Sequence, residues 1–123
     1  MKGDMMNISK ELLSEVLDKE VTNIKMHHSN DEYIYFDYIG KQSRLANEVS
    51  IDIYKLAHKC KKWATEKGYE IVETAFMIRI KRVGQDKQKI WEYPREMQDA
   101  GIYFSPSFTF KACQWILDNK DKQ

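Results

Sequence analysis

The sequence predicts an α+β domain, with about three helices packed on one face of a mainly antiparallel sheet of three to five strands. Two observations carry this. Amphipathic helical patterns stand at the start, middle and end of the chain, and the segments between them read as pairs of strands. Paired strands imply hairpins, and hairpins imply an antiparallel sheet rather than the single-strand crossovers of a doubly wound fold. The predicted order is α-β-β-α-β-β-(β)-α.

The first helix is read from NISKELLSEVLDKE. Ser9 is placed to cap it, because its hydroxyl can accept from the free amides of the first turn. Ile8 and Leu13 have the spacing of a hydrophobic staple, and Leu12, Leu13, Val16 and Leu17 form one apolar stripe. Residues 21–26 and 33–40 read as strands. In the second of them Ile34, Phe36 and Tyr38 share one face, while Tyr33, Tyr35 and Asp37 share the other. HHSND supplies turn formers between the two.

A polar connection, 41–49, leads to Ser50 as the expected cap of the longest helix, 51–67, with Gly68 where a left-handed C-terminal residue belongs. The stretch 69–83 is the clearest strand, with a break expected near Thr74. KIWEY, 89–93, is expected to return antiparallel after GQDKQ. PREMQDAG reads as a loop and IYF as a short edge strand. Ser105 and Pro106, or Ser107 one turn later, announce a last helix running to about Asn119.

The chain of 123 residues is sized for a single domain, 1–123, with 1–6 expected as a frayed leader and 120–123 as a polar tail. Hydrophobic residues at 42% and charged residues at 32% fit a globular protein. A formal charge of +1 argues against a protein that wraps a polyanion, though a local basic patch is compatible with it. No apolar run approaches the roughly 20 residues that span a bilayer, and the N-terminal residues lack the apolar core of a secretory signal. Two cysteines are too few for a disulfide framework. The expected setting is cytoplasmic, away from membranes, with both thiols reduced.

The stretch KLAHKCKKWA, 55–64, holds a histidine, a thiol and four lysines, and invites a metal-site reading. Helical geometry rejects it, because His58 and Cys60 stand about 160° apart on one helix. Ile53, Leu56, Ala57, Cys60, Trp63 and Ala64 form the apolar stripe instead, and Cys60 and Cys113 read as small buried hydrophobes. Lys55, His58, Lys59 and Lys62 fall on the opposite face. With Arg79, Lys81 and Arg82 they make the candidate nucleic-acid surface; residues 79–89 hold five basic residues and one acid, a net of +4. The alternative is the ordinary wet face of an amphipathic helix, and Glu66 on the same stripe favours that alternative.

Trp91, Tyr93, Arg95 and Tyr103 are residue types enriched at interface hot spots, and they flank a predicted loop. They are the candidate protein interface, with a core role for Trp91 and Tyr103 as the alternative. His27, His28 and Asp31 have no third ligand at a diagnostic spacing, so no metal or other cofactor is expected. No phosphate loop, dinucleotide fingerprint, zinc-protease motif or nucleophile elbow is present, and no catalytic residue is assigned.

Three segments, NISKELLSEVL, SIDIYKLAHKCKKWATEKGY and FKACQWILDNK, cover about a third of the chain. They resemble a group of small bacterial proteins often encoded in prophages or plasmids. The group has an N-terminal ELL-EVL helix, a central I-IY-LAHKCK-WA helix and a C-terminal F-AC-WIL helix, and no activity, ligand or catalytic residue is carried over from it. The resemblance implies an accessory protein of a mobile element. The expectation is a non-enzymatic protein that binds another protein, of host or phage, with nucleic acid as the alternative partner and enzymatic activity unsupported.

Overall fold

A computed structural model describes residues 8–25, 33–40, 46–101 and 105–119. Among them the order is α1 (Lys10–Leu17), β1 (Glu20–Lys25), β2 (Tyr33–Ile39), β3 (Ala46–Asp52), α2 (Ile53–Glu66), β4 (Tyr69–Glu73), β5 (Met77–Arg82), β6 (Gln88–Glu92), α3 (Arg95–Asp99) and α4 (Pro106–Asn119). The α+β class holds. The single sheet is corrected to two three-stranded antiparallel sheets, β1-β2-β3 and β4-β5-β6. Strand period tells which residues share a face, but not which strands share a sheet, so the split was not readable from it.

Helix α1 begins where expected, with Ser9 Oγ accepting from the Leu12 amide at 3.1 Å. It ends after Leu17, earlier than its polar tail suggests, because Asp18 turns left-handed at φ 54°. Ser14 ties this corner to the sheet: its hydroxyl donates to the Lys10 carbonyl and accepts from the Val21 amide.

The expected polar connection before α2 is in part a strand, β3, paired with β2 from Ile39↔Ala46 to Tyr33↔Asp52. Val49 and Ile51 turn apolar side chains inward, opposite Phe36 and Ile34, and polar neighbours in the sequence hide that short alternation. The extended backbone runs on through Ser50, so the cap of α2 is Asp52 rather than Ser50. Asp52 Oδ1 accepts from the amides of Tyr54 and Lys55 at 2.8 and 3.1 Å. Gly68, at φ 92°, supplies the left-handed residue after α2.

The long strand 69–83 is a hairpin, β4 and β5, and breaks where Thr74 Oγ1 accepts from the amides of Phe76 and Met77. The stretch expected as a loop after β6 holds the short helix α3, which Pro94 precedes and an Arg95–Asp99 ion pair spans. Pro106 opens α4, and the Ser105 carbonyl accepts from the amides of Phe108 and Thr109. The expected leader, the HHSND turn, the IYF strand and the polar tail lie outside the described residues.

One core joins the two sheets. It takes Leu12 and Leu13 from α1, Ile34 and Phe36 from β2, and Ile78 and Ile80 from β5; α2 adds its apolar stripe and α4 adds Phe110, Ala112, Cys113 and Ile116. Helix α2 touches α1, α4, β3 and β4, so it serves both sheets. The second sheet has two unlike faces. Its inner face, with Ile78 and Ile80, lies against the helices; its outer face carries Val72, Arg79 and Ile90 in one row and Glu70, Lys81 and Gln88 in the next. No helix among the described residues is long and apolar enough to cross a membrane.

Candidate functional site

Helix α2 divides KLAHKCKKWA as its period requires. Cys60, Trp63 and the other stripe residues are buried, and Lys55, His58, Lys59 and Lys62 are exposed together on the far side. Cys113 Sγ donates to the Cys60 carbonyl at 3.4 Å across the α2–α4 contact. The Cys113 thiol beside it, and then burial, push the Cys60 thiol far above its ordinary range. Both cysteines are free thiols sealed in the core.

The other candidate nucleic-acid residues do not extend the α2 stripe. Lys61, on the flank of α2, bonds Glu73 at 2.8 Å, which places the helix on the inner face of the second sheet. Arg79 and Lys81 belong to the outer face, so they open onto the opposite side of the layer from the stripe. Lys81 stands directly across from Glu70, and Glu92 is diagonal to Arg79. Arg82 is on the inner face, with its guanidinium 6.0 Å from the centre of the Tyr69 ring.

The candidate interface residues also part company. Tyr93 is 2% exposed and packs edge-on against Phe108 at 4.9 Å, so it belongs to the core. Burial, and to a lesser degree the Glu73 carboxylate, raise its phenol above the ordinary range. Trp91 is half-buried on the inner face of β6. Arg95 is exposed and pairs with Asp99 along α3. Tyr103 lies outside the described residues, as do His27, His28 and Asp31. Among the described residues no cluster of three His, Cys, Asp or Glu side chains gathers that could hold a metal.

Two concave regions meet along α4. The larger, about 1000 Å³, lies between α1, the end of α2 and the end of α4. Its walls carry Glu11, Glu15, Asp18, Glu66 and Asp118 against Lys10 and Lys67, an acidic balance. Ser9 Oγ donates to Gln114 Oε1 at 2.8 Å, and Gln114 Nε2 donates to Asp118 Oδ1 at 3.0 Å, so its rim is already bonded. Trp63 lines it too, and its indole Nε1 is buried without a hydrogen-bond partner among the described residues.

The smaller region, about 330 Å³, is a cleft between β6 and α4. Lys89 and Trp91 form one wall; Lys111, Gln114, Trp115 and Asp118, at i, i+3, i+4 and i+7 on one side of α4, form the other. Lys89 Nζ is 5.8 Å from the centre of the Trp91 ring, and Lys111 Nζ is 4.8 Å from that of Phe108. Trp115 is braced edge-on by Tyr69 at 6.4 Å. Sequence reasoning picked out Trp91 but missed its companions on α4. The signal was the K-x-x-Q-W-x-x-D spacing, 111–118, a second helical face beside the Phe110, Cys113 and Ile116 core stripe.

No protein-family model matches the chain, and no curated protein or solved structure matches it either.

Proposed function

We propose that this is a non-catalytic accessory protein, of the prophage or plasmid type its helices resemble, that works by binding another protein of host or phage. The observation that carries the reading is the composition of the outer face of the second sheet. Val72, Met77 and Ile90 surround Arg79, while Glu70, Lys81 and Glu92 form a rim of both signs. Val83 and Phe76, at the two ends of β5, are 68% and 63% exposed. An apolar centre containing Met and Arg, ringed by charges that balance, has the make-up of a protein contact patch rather than a polyanion surface. The partner this face fits has its own apolar patch with charges of both signs around it.

The test is capture from host lysate on immobilised protein, with and without nuclease, beside Ile90→Asp and Arg79→Glu. Ile90 is exposed and Arg79 half-buried, so unfolding midpoints are measured for both variants and binding is compared under conditions where each is folded. A specific protein captured despite nuclease, and about tenfold less by either variant, supports the reading. Capture that survives both substitutions, or that nuclease abolishes, overturns it. A dimer in sedimentation that Ile90→Asp dissociates would make a second copy the occupant and overturn it as well.

A further inference from the structure

The inner margin of the same sheet points to a second activity, independent of the outer face. We infer that the β6–α4 cleft binds single-stranded nucleic acid, holding a base against Trp91 and Trp115 and one phosphate at each of Lys89 and Lys111.

The two indoles stand on opposite walls of the cleft, each half-buried, so each is fixed by packing yet keeps part of its ring accessible. A rigid aromatic surface beside a cation is what a stacked nucleotide requires: the base covers the ring and its phosphate reaches the ammonium. Lys89 is held close to the Trp91 ring and Lys111 close to Phe108, so both charges stay next to aromatic surface. The α4 wall also carries the hydrogen-bonding groups of Gln114 and Asp118, which are bonded to each other at 3.0 Å. Asp118 can accept from a base N–H, such as N3–H of thymine or uracil, which turns the one acidic group in the cleft from an obstacle into a contact for the base edge. Its volume of about 330 Å³ is at the low end for a small-ligand site, enough for one base and its sugar.

A duplex is excluded by the same geometry, since its bases are stacked inside and cannot present a face to an indole between two walls. The exposed stripe of α2 has lysines but, on its own helix face, only Tyr54 nearby as an aromatic, which is why the inference rests on the cleft. Two lysines also set the expected salt response: with two phosphates neutralised, affinity falls with a log–log slope of about −1.4.

Fluorescence anisotropy with labelled oligo-dT and oligo-U strands of about 12 nucleotides tests this, alongside quenching of the intrinsic tryptophan emission. Saturable binding with quenching is expected, at least about tenfold tighter for either single strand than for a duplex of the same length. Lys89→Glu with Lys111→Glu weakens it about tenfold or more and flattens the salt slope, Trp91→Ala weakens it about tenfold, and Trp91→Phe restores most of the loss. Lys55→Glu with Lys59→Glu leaves it unchanged. Unfolding midpoints are measured for every variant, and Trp91→Phe keeps the test valid where Trp91→Ala loosens the fold. No saturable binding, equal binding of duplex, an unaltered affinity in the Lys89/Lys111 variant, or equal competition by polyglutamate or a free mononucleotide each overturns the inference.

Discussion

The two halves of the chain pass through the same elements, a helix and then three antiparallel strands in sequential order, and put them to different use. In each, the helix ends in a left-handed residue, Asp18 at φ 54° or Gly68 at φ 92°, and the first strand follows at once. The first helix is 8 residues long and the second 14. Helix α1 packs on β1 of its own sheet; α2 continues from β3, packs on β4 and lies against both α1 and α4, and α4 stands over β5 of the second sheet. What repeats is a plan of construction, and no residue pattern has to repeat for it. Caps, turns and periodicity admit many side chains, and α2, in contact with both α1 and α4, joins the two units in one core.

If the halves are one cooperative body, a cavity in either should weaken both. Ile34→Ala in the first sheet and Ile80→Ala in the second should each cost about 2–5 kcal/mol. All three tryptophans, Trp63, Trp91 and Trp115, lie in the second half or α4. Ile34→Ala should therefore shift the tryptophan-emission midpoint in urea as far as it shifts the circular-dichroism midpoint. Two separate transitions would divide the molecule in two.

The contact between α2 and α4 sets a pH limit. A buried Cys60 whose thiol pKa is raised cannot ionise in the folded state, whereas an unfolded thiol ionises near pH 8.5. Stability from this site is full below that value and declines above it, by up to about 1.4 kcal/mol per pH unit. Urea midpoints from pH 7 to pH 10 should fall more in the native sequence than in Cys60→Ala. Equal slopes would mean that the thiol reaches water.

Smaller effects compare the helix starts. Ser9→Ala and Asp52→Ala should each cost about 1 kcal/mol, and Ser50→Ala less than about 0.5. A thermal melt that ranks Ser50 above Asp52 would reverse the assignment of the α2 cap. Smallest is Lys61→Met: its bond to Glu73 is partly exposed, so the loss should stay within about 1 kcal/mol and shrink further in salt.

Helices α1, α2 and α4 were legible from their period, helped by the cap of α1 and the stop of α2, whereas α3 was too short to show a period. Ser9, the Ile53–Ala64 stripe and Gly68 could be read directly, and so could the burial of Cys60 and Cys113. Strand β3 was not, since two inward apolar residues among Asn47, Glu48, Ser50 and Asp52 do not rise above a polar loop. The basic set failed to assemble for a related reason. Arg79 and Lys81 alternate away from Arg82, so adjacency along the chain became opposition across the sheet. The cleft needed tertiary knowledge, because nothing local says that Lys89 and Trp91 face Lys111 and Trp115.

Asp52 ends β3 and caps α2, and the strand passes into the helix without an intervening residue. No loop separates the last rung of the first sheet from the first turn of the helix that contacts the second, so one residue, Asp52, is at once the strand end paired with Tyr33 and, through its carboxylate, the acceptor for the Tyr54 and Lys55 amides.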